Sequence, residues 1–158
     1  MKKFFVLLLI FLSFACNTIF SQEKDLGIGV ILGDPSGLSI KYWTSDENAI
    51  DLGIGYSFMG PGSGVSIHLD YLYHLDDLIN SETRFPIYYG FGLRFRFPSH
   101  EPTGFGARGV VGVLYYPENI PIDLFAELAP SFRLLPNTAI DLSFGVGARY
   151  YIEFNTKN

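Results

Sequence analysis

The sequence feature that most constrains the fold is the strict alternation of apolar and polar residues over Ala139–Phe154. Every second residue from Ile140 onward is apolar, whereas the positions between them carry charges of both signs at Asp141, Arg149 and Glu153. A period of two residues indicates a β-strand. Strands of globular proteins usually have about 5–6 residues, whereas a tilted strand needs roughly 9–11 to cross a bilayer. A long strand with an unbroken apolar face is typical of a transmembrane β-barrel, with lipid outside and a polar lumen inside.

The rest of the chain repeats this pattern in segments separated by turn residues. The eight predicted strands are Leu26–Leu32, Leu38–Trp43, Ala49–Phe58, Gly64–His74, Phe85–Phe97, Gly104–Tyr115, Ile122–Leu134 and Ala139–Phe154. No helical periodicity is found after the first twenty or so residues. Single-chain bacterial outer-membrane barrels have even strand numbers, beginning at eight. The sequence therefore predicts an all-β fold, an eight-stranded antiparallel up-and-down transmembrane β-barrel.

An even strand number also predicts the orientation of the barrel. Both chain termini are expected on the periplasmic side, and the short turns 33–37, 59–63, 98–103 and 135–138 are expected to face out of the cell. The longest connection, Asp76–Arg84, then falls on the periplasmic side, which reverses the usual pattern of long outer loops.

The N-terminal segment has the features of a secretory signal peptide. Lys2 and Lys3 precede an apolar run, Phe4–Ala15, that is too short to cross a membrane as a helix. We expect residues 1–21 to be removed and residues 22–158 to form the barrel domain. A second interpretation is a degenerate lipoprotein box that ends at Cys16, which would then carry lipid. Since Cys16 is the only cysteine, the mature chain has no internal disulfide under either interpretation.

The charge balance disfavours one class of partner. Without Lys2 and Lys3, nine basic side chains remain against sixteen acidic ones, a net charge of −7. Nucleic acid requires a basic surface, so we expect no nucleic-acid partner.

In each predicted strand, the alternate residues that are mainly apolar are assigned to the lipid-facing side, which we call the apolar phase. The charged residues then all fall on the opposite side. The apolar phase includes Ile50, Leu52, Ile54, Tyr56, Val65, Ile67, Leu69, Tyr71, Tyr89, Phe91, Leu93, Phe95, Val111, Val113, Leu124 and Leu128, and it carries no acidic or basic residue within any predicted strand. The opposite phase, assigned to the lumen, holds Lys41, Arg94, Arg96, Arg108, Arg133 and Arg149 together with Asp51, Asp70, Asp123, Glu127, Asp141 and Glu153.

These twelve charges predict a salt-bridged plug. The lumen of an eight-stranded barrel is just wide enough to be filled by its own side chains, and buried charges must be paired. Glycines on the same phase, such as Gly53 and Gly145, are expected to make room for long arginine side chains. Pro130 interrupts strand seven and cannot donate to the ladder, which puts the inward position of Arg133 in doubt. Five apolar residues are exceptions that point inward by phase: Ile31, Leu72, Val110, Leu114 and Phe125.

Three segments carry a resemblance to a known group of proteins. They are G-V-I-L-G-D-P-S-G-L-S-I-K-Y-W in the first hairpin, F-P-I-Y-Y-G-F-G-L-R-F-R-F in strand five and P-I-D-L-F-A-E-L-A-P in strand seven. The mature chain resembles small outer-membrane β-barrel proteins of the OmpA/OmpX type, and is more closely similar to a family of uncharacterised bacterial barrels. The resemblance implies insertion by the barrel-assembly machinery, which in many members reads a terminal Phe, whereas Phe154 here is followed by four more residues. It implies no activity.

Catalytic and metal sites were weighed against the plug. Ser66, His68 and Asp70 lie on one phase of strand four, but residues two apart on a strand are about 7 Å apart, too far for a nucleophile–base hydrogen bond. Metal ligation by His68, His74 and Asp70 has no support from a second set of spaced ligands. The Ser66-x-His68 pair is the reverse of the His-x-Ser pair in barrels that deacylate lipid A, and it points inward.

The predicted function is therefore that of an integral outer-membrane barrel with a structural or interaction role, without catalysis, cofactor or metal. The alternatives are an enzyme that modifies lipid A and a narrow solute channel. Expected partners are outer-membrane lipid and lipopolysaccharide, the assembly machinery, and a periplasmic protein that binds the Asp76–Arg84 link.

Overall fold

The computed structural model describes residues 26–58, 63–75 and 85–152. Eight strands account for most of them: β1 (Leu26–Gly33), β2 (Ser36–Trp43), β3 (Asn48–Ser57), β4 (Gly64–Leu75), β5 (Ile87–Pro98), β6 (Gly104–Tyr115), β7 (Ile122–Leu135) and β8 (Ala139–Ile152). Within these ranges no helix is long and apolar enough to cross a membrane.

The strands form a closed antiparallel barrel in sequence order. Each strand pairs with the next one along the chain, and β1 pairs with β8 from Leu26 opposite Ile152 to Gly33 opposite Gly145. Closure leaves no unpaired sheet edge. The predicted all-β fold, a closed barrel of eight antiparallel strands in sequence order, is confirmed. The expected signal peptide, the Asp76–Arg84 link and Glu153 lie outside the described residues.

The barrel has two ends, which we name by the chain. The terminus end is where β1 begins and β8 ends, and the distal end is where β1 ends and β2 begins. The first distal turn is tighter than predicted, since only Asp34 and Pro35 separate β1 from β2. Gly33 has φ 144°, and a Cβ there would lie 2.2 Å from the carbonyl oxygen of Phe144. Only glycine fits this close approach at that φ.

Pro130 does not end β7. The strand continues to Leu135, and Pro130 faces outward opposite Leu142. The β6–β7 ladder shifts register between Phe105 and Gly106. This irregularity leaves Arg133 half-buried.

The outer surface of the barrel is a continuous apolar layer. Large hydrophobic side chains point outward on every strand, with 52% of Leu69, 63% of Phe91 and 62% of Leu142 exposed. All residues assigned to the apolar phase in β3–β7 are exposed or half-buried. No acidic or basic side chain of the eight described strands faces outward.

The lumen is filled by both apolar and charged side chains. The five inward apolar exceptions form one buried cluster with three further residues; its members are Ile31, Ala49, Leu72, Tyr88, Val110, Leu114, Phe125 and Ala129. The expectation of an all-charged plug is therefore incomplete. Part of the filling is an ordinary hydrophobic core.

Gly53 and Gly145 make room for a ring and an aliphatic group and not for arginines, contrary to expectation. A Cβ at Gly53 would lie 2.2 Å from the His68 imidazole, and one at Gly145 would lie 2.5 Å from Ile31. Flat rings and branched side chains thus occupy the space that the glycines leave.

Candidate functional site: the polar interior of the barrel

Arg149 connects four strands across the lumen. Its Nη2 donates to Asp51 Oδ1 at 2.8 Å, Nη1 to Asp123 Oδ2 at 3.3 Å, and Nε to Ser39 Oγ at 2.8 Å. The guanidinium carbon also lies 3.8 Å from the centroid of the Phe125 ring. Arg149 is 1% exposed. Its charge is matched by two carboxylates, as a buried ion requires.

A second buried arginine, Arg108, connects β6 with β4 and β7. Its Nε lies 2.9 Å from Asp70 Oδ2, and its Nη2 donates to Glu127 Oε1 at 2.6 Å. The other oxygen of Glu127 accepts from Tyr88 Oη at 2.8 Å. We call the residues that Arg108 and Arg149 bring together the central cluster: Asp51, His68, Asp70, Arg108, Asp123, Glu127 and Arg149.

The metal-ligand group in the central cluster differs from the one that the sequence suggested. Asp51, His68 and Asp70 each have an oxygen or nitrogen ligand atom within 4.8 Å of the others, and His68 Nε2 lies 3.7 Å from Asp51 Oδ2. His74 is not part of this group. Both carboxylates already pair with Arg149 and Arg108, and these neighbouring positive charges oppose a divalent cation.

The Ser66–His68–Asp70 series does not form a catalytic relay. The Ser66 hydroxyl accepts from Arg94 Nε at 3.0 Å, and His68 pairs with Asp51 on β3. The three side chains are at most 2% exposed. A nucleophile needs a hydrogen-bonded base, and among the described residues Ser66 has no such bond to His68.

Lys41, near the terminus end, has a histidine as its hydrogen-bond partner. Its Nζ is 2.7 Å from His74 Nε2 and 4.3 Å from the centroid of the Trp43 ring. His74 Nδ1 lies 3.0 Å from the Glu47 carbonyl oxygen. Because that oxygen can only accept, Nδ1 carries the proton and Nε2 accepts from Lys41. Lys41 makes no ion pair within 4 Å in the described part of the chain, although Asp51 lies opposite it on β3.

The distal end holds a separate cluster around a turn residue. Asp34 folds into the lumen and is 3% exposed; its Oδ1 accepts from Ser57 Oγ at 2.6 Å and from the Phe58 backbone N–H at 2.9 Å. Arg94 and Arg96 approach its other oxygen at 3.6 and 3.7 Å.

Hydroxyl groups supply most of the direct contacts of Arg94. It donates to Ser66, Ser143 and Ser57. Arg96 Nη2 also donates to Ser57 Oγ, at 2.8 Å. Arg94 and Arg96 are therefore held mainly by neutral acceptors and only loosely by a carboxylate.

Arg133 and Asp141 form a bidentate pair at the distal rim. Nε and Nη2 of Arg133 donate to the two carboxylate oxygens at 3.1 and 2.9 Å. The pair lines a small depression open to solvent, whose lining residues are Arg94, Arg96, Gly104, Phe105, Gly106, Arg133 and Asp141. We call this the distal depression.

Sequence reasoning missed several polar residues of the lumen. Asp34 lies in a turn, where alternation assigns no phase. Ser39 and Ser143 do lie on the inward phase, and a count of inward hydroxyls would have identified them as candidate acceptors for the arginines. Tyr151 is also inward by phase; its Oη donates to Asp123 Oδ2 at 2.6 Å.

Comparison with known proteins supports the fold. No protein-family model and no curated protein matches the chain. Among solved structures, the N-terminal β-barrel domain of Pseudomonas aeruginosa OprF is similar, with a TM-score of 0.58 and 18% sequence identity over 83% of this chain and 100% of that chain. At this identity the likeness establishes the fold alone, a small β-barrel.

Proposed function

We propose that the protein is an integral barrel of the bacterial outer membrane, with a structural or interaction role and a lumen closed by its own side chains. The apolar outer layer supports the membrane location. Exposed apolar patches on soluble monomers rarely exceed a few hundred Å², whereas here large hydrophobic side chains cover the outside of all eight strands. Such a surface is stable in lipid and aggregates in water.

The observation that carries the closed lumen is Arg149. It is 1% exposed and bonds to β2, β3 and β7 from β8, so its contacts cross the barrel interior. Apolar side chains fill the space beside it, since Leu72 and Leu114 are at most 1% exposed. An ion could pass only by displacing paired charges and packed side chains.

The partners proposed for this barrel follow from its location. Outer-membrane lipid and lipopolysaccharide would contact the apolar layer, and the assembly machinery would insert the chain. A periplasmic partner could reach the Asp76–Arg84 link if the termini face the periplasm.

The closed lumen can be tested by conductance. We expect purified barrel inserted into planar bilayers in potassium chloride to give no current steps, because the lumen holds no continuous path. Insertion is verified by faster gel migration of the unheated than of the boiled sample. Regular current steps from verified barrels would support the narrow channel instead.

The lipid-modifying alternative has its own test. A His68→Ala variant should leave the lipid A mass profile of the host membrane unchanged, because His68 is buried and has no nucleophile bonded to it. A profile that differs between host cells with the unchanged chain and host cells with His68→Ala would support an enzyme.

A further inference from the structure

The distal depression has an excess of positive charge. Its arginines, Arg94, Arg96 and Arg133, face only two described carboxylates, those of Asp34 and Asp141. One positive charge is therefore left over. The distal depression opens to solvent, whereas the central cluster is buried. A dissolved anion can therefore approach the excess positive charge.

A buried donor in the depression has no acceptor. Arg96 is 8% exposed, and its Nη1 has no hydrogen-bond partner among the described residues, although its Nη2 donates to Ser57. A buried N–H group of a charged side chain that lacks an acceptor is costly. Arg96 also lines the depression, so its guanidinium has unused donor capacity beside the open space.

Gly104 lies beside the aliphatic parts of two of the arginine side chains. A Cβ at this position would lie 3.6 Å from Arg96 Cβ and 3.9 Å from Arg133 Cδ, in ordinary van der Waals contact. A small side chain would therefore fit at this position, and a large one would project into the depression that Gly104 lines.

We propose that the distal depression binds a phosphate group, held by Arg96 and Arg133. Guanidinium groups bind phosphate through paired, charge-assisted hydrogen bonds. The phosphate can belong to a free phosphate ion or to a lipid headgroup at the rim, and the chemistry of recognition is the same. The site is independent of the plug, since the central arginines take no part in it.

Calorimetry with inorganic phosphate tests the site. The barrel is placed in nanodiscs of zwitterionic lipid at low ionic strength, and phosphate is titrated in. We expect saturable binding that Arg96→Gln weakens at least tenfold. Gly104→Leu should weaken it similarly, because the side chain projects into the depression without changing the charge. Lys41→Gln is the charge-matched control, since Lys41 lies near the end of β2 at the terminus end of the barrel, and it should bind as the unchanged chain does.

A second arm separates the two phosphate sources. The titration is repeated in nanodiscs that contain phosphatidic acid, whose headgroup is a phosphate monoester. Loss of free-phosphate binding there assigns the site to lipid, whereas unchanged binding assigns it to a soluble phosphate. Gel migration of each unheated variant verifies folding. If the unchanged chain does not bind phosphate, or if all folded variants bind equally, the proposal is wrong.

Discussion

At the scale of single residues, the polar interior depends on arginines that differ in what they neutralise. Arg149 pairs with two carboxylates, whereas Arg94 donates mainly to serine hydroxyls. Removing an arginine lowers the free energy of unfolding most where it leaves a buried carboxylate without a counter-ion. A buried charge without a partner is far less favourable than a buried hydroxyl without one.

Arg149→Ala is therefore expected to destabilise the barrel by about 3–5 kcal/mol, since Asp51 and Asp123 lose their counter-ion. Arg94→Ala should cost clearly less. The measurement is urea unfolding in lipid vesicles, with Glu118→Gln, an exposed turn substitution, as a control expected within about 0.5 kcal/mol. Equal stability of Arg149→Ala and the control would show that the central cluster does not hold the barrel together.

Gly53 gives a second test at this scale, by steric fit. Gly53→Ala should destabilise by roughly 1–3 kcal/mol, the usual cost of overpacking, because its Cβ would meet the His68 ring at 2.2 Å. In the background of His68→Ala the same substitution should cost much less, and the double-mutant cycle measures this coupling. Additive effects of the two substitutions would mean that the ring does not occupy this space.

At the scale of the strands, a period of two residues decides which side chains share a face, so alternation alone was enough to predict eight strands and their inward charges. Partners depend on register between strands, which alternation leaves open. That Arg149 meets both Asp51 on β3 and Asp123 on β7 follows from the barrel's closure. Asp34 lies outside any strand, so its inward position was not predictable from phase.

The outward phase of β4 allows a test of the solvent around the barrel. Leu69→Arg should lower the free energy of unfolding in lipid vesicles by about 2–4 kcal/mol if Leu69 faces the bilayer midplane. In a water-soluble barrel an exposed position would tolerate the change within about 0.5 kcal/mol. A Glu118→Arg variant, with its substitution in an exposed connection, serves as the control for added positive charge. Equal unfolding of the two variants would contradict a lipid-facing β4.

The strand number also predicts orientation. Glu101 follows β5 and Asp46 follows β2, so these exposed residues lie at opposite ends of the barrel. In intact cells, a membrane-impermeant maleimide should label Glu101→Cys and not Asp46→Cys, with the parent chain as background. The reverse result would place the termini outside the cell.

At the scale of the whole molecule, the outer surface of the barrel is apolar, whereas that of a soluble globular protein is largely polar. The lumen nevertheless contains a small hydrophobic core. Ile31, Leu72 and Leu114 pack inside beside the salt-bridged arginines. Seen from the sequence, these residues were exceptions to a polar lumen. The closed barrel explains their inward position, because it brings residues from several strands into one buried cluster. Contacts across a lumen leave no periodic signal in the sequence, so the cluster could not be predicted from alternation.

The central claim is a barrel with lipid outside and a closed interior, and methyl NMR with two paramagnetic agents tests both parts at once. In lipid nanodiscs, a radical on the lipid tail should broaden the methyl signals of Leu69 and Val146. The methyl signals of Leu72 and Leu114 should be broadened neither by that radical nor by a water-soluble gadolinium chelate. Broadening of Leu72 and Leu114 by the chelate would reveal a water-filled lumen, and broadening of Leu69 and Val146 by the chelate alone would contradict the membrane location.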